Sequence, residues 1–140
     1  MKSRSMSALG IVAAAMFAAV PLLAHHSFAA EYDRAKPVTL TGTVTRVEWI
    51  NPHAHFQMDV KDPSGTTRNW DIELGSPAGL LRNGWTRNSL KIGEVVAVTG
   101  YLAKDGTNTA NSSTVTVNGR RLFAGSSADT QVANPPPPPP

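Results

Sequence analysis

The sequence predicts an all-β protein, a small five- to six-stranded antiparallel barrel with one short helix between the third and fourth strands. Three observations predict it. Apolar and polar residues alternate with a period of two through Phe56, Met58 and Val60 and again through Trp70, Ile72 and Leu74. Turn chemistry punctuates the chain at Asn51-Pro52, Asp62-Pro63-Ser64-Gly65, Lys104-Asp105-Gly106 and Asn118-Gly119. Only Ser76-Pro77 has a strong helix-start signature, a hydroxyl cap followed by proline.

Residues 1–24 read as a secretory signal, with Lys2 and Arg4 before an apolar run over 11–20, then Pro21 and a small residue, Ala24, at the cut. A second cut is possible after Ala29; the position of Pro21 favours Ala24. The apolar run falls short of the ~20 residues that span a bilayer. Residues 25–37 form a leading segment, in which Phe28 and Tyr32 are one helical turn apart and Pro37 ends any helix. Strand one covers 38–49. Val38, Leu40 and Val44 share a face and Val47 and Trp49 take the other phase, so a bulge falls between 44 and 47, with room at Gly42 for the backbone to coil.

Strand two covers 55–60, with His55, Gln57 and Asp59 outward, and strand three 67–74, with Asn69, Asp71 and Glu73 outward. The helix spans 77–82 and stops at Asn83-Gly84. Thr86 caps a further turn, and Trp85 and Leu90 plug one barrel end. Strand four, 94–102, lacks strict alternation and is expected to be covered on both faces. Strand five covers 109–117, and 120–123 add a short edge strand. The barrel domain is thus 38–124. Residues 125–140 are small and polar and end in six prolines, a disordered, polyproline-like tail. Strand, strand, strand, helix, strand, strand is the order of an OB-fold.

Charge excludes one class of function. The chain carries 13 Lys+Arg and 10 Asp+Glu, and loss of Lys2 and Arg4 with the signal leaves 11 against 10. A nucleic-acid binder keeps a basic stripe after processing; this chain does not. With no cysteine there is no disulfide, thiolate or lipid-anchored terminus. A periplasmic or secreted product with no membrane span after cleavage is expected.

All four histidines fall in two clusters, His25-His26 and His53-Ala54-His55. Cutting after Ala24 frees the α-amine of His25, which can chelate a metal together with its own imidazole. His26, His53 or His55 can add a third nitrogen, a set suited to Cu(II), with Zn(II) second. The bland reading is a solvated new terminus. Pairing strands two and three through the 61–66 turn sets His55 against Glu73 and Gln57 against Asp71. A carboxylate can orient a ligating imidazole, or the pair can be a surface contact only. The same logic places Arg46 near Asp59 as an ion pair. Asp71 and Glu73 read as solvated charges. Trp49, Trp70 and Trp85 read as core. The serines lack a nucleophile-elbow context, and there is no phosphate loop or HExxH. No catalytic constellation is present, so an enzyme is not expected.

The stretches 25–33 (HHSFAAEYD), 40–44 (LTGTV), 48–54 (EWINPHA), 73–77 (ELGSP), 84–86 (GWT), 93–96 (GEVV) and 120–127 (RRLFAGSS) carry a resemblance. The chain resembles a family of exported bacterial proteins classed as a domain of unknown function. The resemblance implies an exported small β-barrel and no established reaction. The signal-to-His-His junction is similar to that of exported copper proteins. Two functions are therefore expected in turn. The first is a non-catalytic periplasmic Cu(II)-binding protein using His25, His26, His53 and His55. The second is a metal-free module that uses Arg46, Gln57, Asp71 and Glu73 to bind an envelope protein or small ligand.

Overall fold

β1 (Tyr32–Glu48) is a 17-residue strand that pairs on both sides, and the rest of the sheet is laid against it. The computed structural model describes residues 28–125. The signal segment, His25, His26 and the tail beyond 125 lie outside the described residues. The elements that accompany β1 are α1 (Phe28–Glu31), β2 (His55–Lys61), β3 (Thr67–Glu73), α2 (Pro77–Arg82), β4 (Val95–Ala103), β5 (Thr109–Val117) and β6 (Arg120–Phe123). The protein is mostly β. Six strands are hydrogen-bonded in the order β3-β2-β1-β4-β5-β6, and a further β3–β5 pairing closes the sheet into a ring. That closing pair is parallel, whereas the other pairings are antiparallel.

The phase change read in strand one is present. Val44 lies opposite Met58 and Arg46 opposite Gln57, so Thr45 is the extra residue of a bulge. Gly42 sits between Val60 and Val96, and a β-carbon there would collide with the Asp59 carbonyl. β1 starts at Tyr32 rather than Val38, because 32–37 continue alongside β4 through an irregular register between Tyr32–Ala103 and Pro37–Tyr101.

The core is the expected one for β2 and β3. Phe56, Met58 and Ile72 are fully buried and Leu74 nearly so, each contributing on the order of 1.5–3 kcal/mol. Val60, near the end of β2, and Trp70, midway along β3, are half-buried. The α2 helix is capped as read, with Gly79 N donating to Ser76 Oγ (3.2 Å). Trp85 and Leu90 are buried beyond it, and the Trp85 indole N–H donates to the Phe123 carbonyl (2.7 Å).

β4 corrects the reading of a strand covered on both faces. Val96, Val98 and Gly100 point in, while Val95 is 62% exposed and Thr99 is exposed. The run of four small apolar residues hid an ordinary period-two pattern, because Ala97 and Val95 are tolerated on a solvent-facing side.

Candidate functional site

The outward face of β2 and β3 is where the polar side chains gather, and the ring decides which of them meet. The register is the one expected: His55 faces Glu73, Gln57 faces Asp71, and Met58 faces Trp70. The side chains cross this ladder diagonally. His55 Nδ1 lies 3.3 Å from Asp71 Oδ2, and Glu73 instead holds His53, Nδ1 to Oε1 at 2.8 Å. A carboxylate only accepts, so each Nδ1 carries a proton, and in the neutral imidazole Nε2 is the nitrogen with the lone pair.

Glu73 is not a solvated charge. It is 8% exposed, because β5 closes against the end of β3 and sets Asn111 beside it. The leading segment covers it from the other side. Tyr32 O–H donates to Glu73 Oε2 (2.7 Å), and Asn111 Nδ2 donates to Oε1 (3.2 Å). Asn111 is itself 3% exposed, and its Oδ1 has no hydrogen-bond partner among the described residues. Exchanging the amide's oxygen and nitrogen would set that oxygen against the carboxylate, so the assignment follows from charge.

The leading segment is held down at several points. Lys104 N donates to the Glu31 carbonyl (2.9 Å), and Lys104 Nζ reaches the Ala29 carbonyl. The Phe28 ring lies edge-on to Tyr101 (centroids 5.6 Å) and tilted on Tyr32 (5.5 Å), with the Arg34 guanidinium 4.7 Å above it. The aromatic pair read from the sequence does dock a short helix, and its function in the fold is to deliver the Tyr32 hydroxyl to Glu73.

Two groups of this site have shifted ionisation. Burial, and then the hydrogen bond to Glu73, push the Tyr32 phenol well above its ordinary range. The Asp71 hydrogen bond raises His55, with burial acting against it. The Tyr32 shift has a pH consequence. Below pH ~10 the phenol is protonated in both folded and unfolded chains; above it the unfolded chain releases the proton and the folded one does not. Stability therefore falls as pH rises beyond ~10, and Tyr32→Phe should flatten that alkaline limb in urea titrations at graded pH. Equal slopes for the two proteins would remove the assignment.

Arg46 does not approach Asp59. Thr43 lies opposite Asp59, which accepts from Asn69 (2.8 Å), while Arg46 turns along its own strand to Glu48 (2.6 Å). The bulge places Arg46 opposite Gln57, so Arg46, Gln57 and Asp71 form one row across the outer face and Glu48, His55 and Glu73 the next. His25 and His26 lie outside the described residues. Among the described residues no group of three or more His, Asp or Glu is arranged to hold a metal ion.

Sequence reasoning missed Tyr32 as a polar partner and missed Asn111 altogether. The one available signal was an asparagine in the middle of a strand, where that residue is depleted unless its amide has work. No curated protein matches the chain. Residues 12–112, well over half of the sequence, match a family described only as of unknown function, DUF6152. The chain is therefore a member of DUF6152.

Proposed function

We propose that this is a non-catalytic exported protein that binds Cu(II), with Zn(II) as second choice, through His53, His55 and the His25-His26 terminus. The observation that carries the reading is the paired Nδ1–carboxylate contact, His53 with Glu73 and His55 with Asp71. Metal-ligating histidines characteristically donate the other ring N–H to a carboxylate, which fixes the tautomer and raises ligand basicity. Two imidazoles alone make a weak site. Tyr32 ties the leading segment to the same carboxylate that holds His53. His25 lies three positions before Phe28, a covalent reach of about 10 Å. The amine and imidazoles of a terminus at His25 would supply the further nitrogens that Cu(II) favours.

The proposal includes an OB-like barrel exported to the periplasm or medium. Its supports are the ring order β1-β2-β3-β5-β4, the parallel β3–β5 closure and the helix between β3 and β4. Export rests on the signal-like residues 1–24.

The test expresses the full chain with its own leader and no tag. Intact mass should give a terminus at His25, and Cu(II) titration a single site of micromolar affinity or tighter with nitrogen hyperfine structure in its electron paramagnetic resonance spectrum. His53→Gln should weaken that site by on the order of tenfold or more. A terminus at Ala30 with no saturable copper binding would remove the proposal. The second reading is a metal-free module for an envelope protein or small ligand, supported by the row of Arg46, Gln57 and Asp71 across the outer face, with Glu73 in the next row. It would prevail if replacing all four histidines left partner capture intact.

A further inference from the structure

The two ends of the ring are finished differently. At one end, where β1 and β3 finish and β2 begins, Trp85, Leu90, Leu74 and Ala54 are buried, and the crevice beside them holds no water-sized space. At the other end, around Leu40, Val60 and Trp70, a cavity of about 510 Å³ opens among the described residues. Its floor is apolar: Leu40, Val60 and the half-buried Trp70, all core-facing residues. Its rim is polar: Lys61, Arg68 and Asn108.

The charges on that rim do not cancel. Among the described residues Asp62 is the one carboxylate lining it, and its Oδ1 already accepts from Ser64 N (2.9 Å) and Thr66 N (3.0 Å) within the β2–β3 turn. The Arg68 Nε stands 3.7 Å from the other oxygen, too far for a good hydrogen bond. Among the described residues the Lys61 ammonium makes no ion pair or hydrogen bond. Two cations with one committed counter-charge thus overlook an indole and two aliphatic side chains.

We propose that this open end is a binding site for a small planar aromatic anion, its ring on Trp70, Leu40 and Val60 and its carboxylate facing Lys61 and Arg68. The size is right, since small-molecule pockets run from about 300 to 1,000 Å³ with an apolar lining and few polar groups. Planarity follows from the indole, on which a flat ring gains an offset stack. Anion preference follows from the rim, where a carboxylate would be met by a forked guanidinium and a free ammonium. The site lies at the opposite end of the ring from the histidines and is independent of the copper reading.

The experiment titrates the full chain, without copper, with 2-naphthoate and with neutral 2-naphthamide, by calorimetry and by ¹H–¹⁵N spectra. The carboxylate should saturate and bind on the order of tenfold tighter than the amide, with the largest shifts at Trp70, Lys61 and Arg68. The exposed double variant Lys61→Gln/Arg68→Gln, which leaves the core untouched, should bring naphthoate down to the affinity of the amide. Trp70→Leu should abolish saturable binding of both, with the spectrum confirming the fold. Equal affinity for the two probes, shifts centred elsewhere, or no saturation of naphthoate into the low-millimolar range would each overturn the proposal.

Discussion

Glu73→Leu should lower the free energy of unfolding by about 3–5 kcal/mol, read from urea midpoints at unchanged m-value. Two effects compete. Removing a buried charge in favour of an apolar side chain of similar size can be neutral or stabilising when its partners go with it. Here the partners stay. The Tyr32 hydroxyl and the Asn111 amide both donate to this carboxylate, and both residues are at most 4% exposed. Each stranded donor costs on the order of 1–3 kcal/mol, which outweighs the relief of the buried charge.

The prediction has an internal control. Tyr32→Phe alone should cost about 1 kcal/mol, and in the Glu73→Leu background it should recover stability, because the phenylalanine has no donor to strand. Glu73→Gln keeps one acceptor and should fall in between. A leucine variant within about 1 kcal/mol of the parent would mean that the carboxylate is not what holds the leading segment down. Since Tyr32 ties that segment to the ring, Glu73→Leu should also weaken the proposed copper site.

The second large effect is expected at Gly100. A β-carbon there would be driven into the Asn111 carbonyl and against the Ser112 backbone, on the neighbouring strand. Backbone in a ladder cannot turn aside as a side chain can, so β4 and β5 must separate. We expect Gly100→Ala to cost about 3 kcal/mol or more, and scanning calorimetry to show Tm falling by more than about 10 °C. Gly42→Ala, aimed at the Asp59 carbonyl, should behave similarly. Gly106→Ala provides the contrast. Gly106 has φ +77° but nothing within 4 Å, so its replacement carries conformational strain alone, on the order of 1 kcal/mol. A Gly100 variant no worse than the Gly106 variant would contradict the close approach. The damage should extend to Glu73, because Asn111 is the residue displaced.

Local chemistry made much of this fold legible. Period-two burial at Phe56, Met58 and Ile72, the Ser76 cap, the bulge after Val44 and the Asn118-Gly119 turn each depend on residues a few positions apart. The strand four reading failed where composition blurred the period, since valine at position 95 is exposed and valine at 96 is buried. The ion pair drawn between Arg46 and Asp59 failed because Glu48, two residues along, offers a nearer carboxylate.

The linear order of residues settles the alternation, the turns, the helix and the confinement of histidine to two short clusters. It also settles that His55 lies on the outward face of β2 and that Asp71 and Glu73 lie on that of β3, because side-chain direction in a strand follows parity alone. The partners on that face come from the closed ring. Pairing β3 with β5 brings Asn111 to Glu73 from 38 positions away, and folding the leading segment back brings Tyr32 from 41 positions away. Neither separation leaves a local trace, and a side chain that parity marks as solvent-facing becomes a buried anion once the sheet has closed over it.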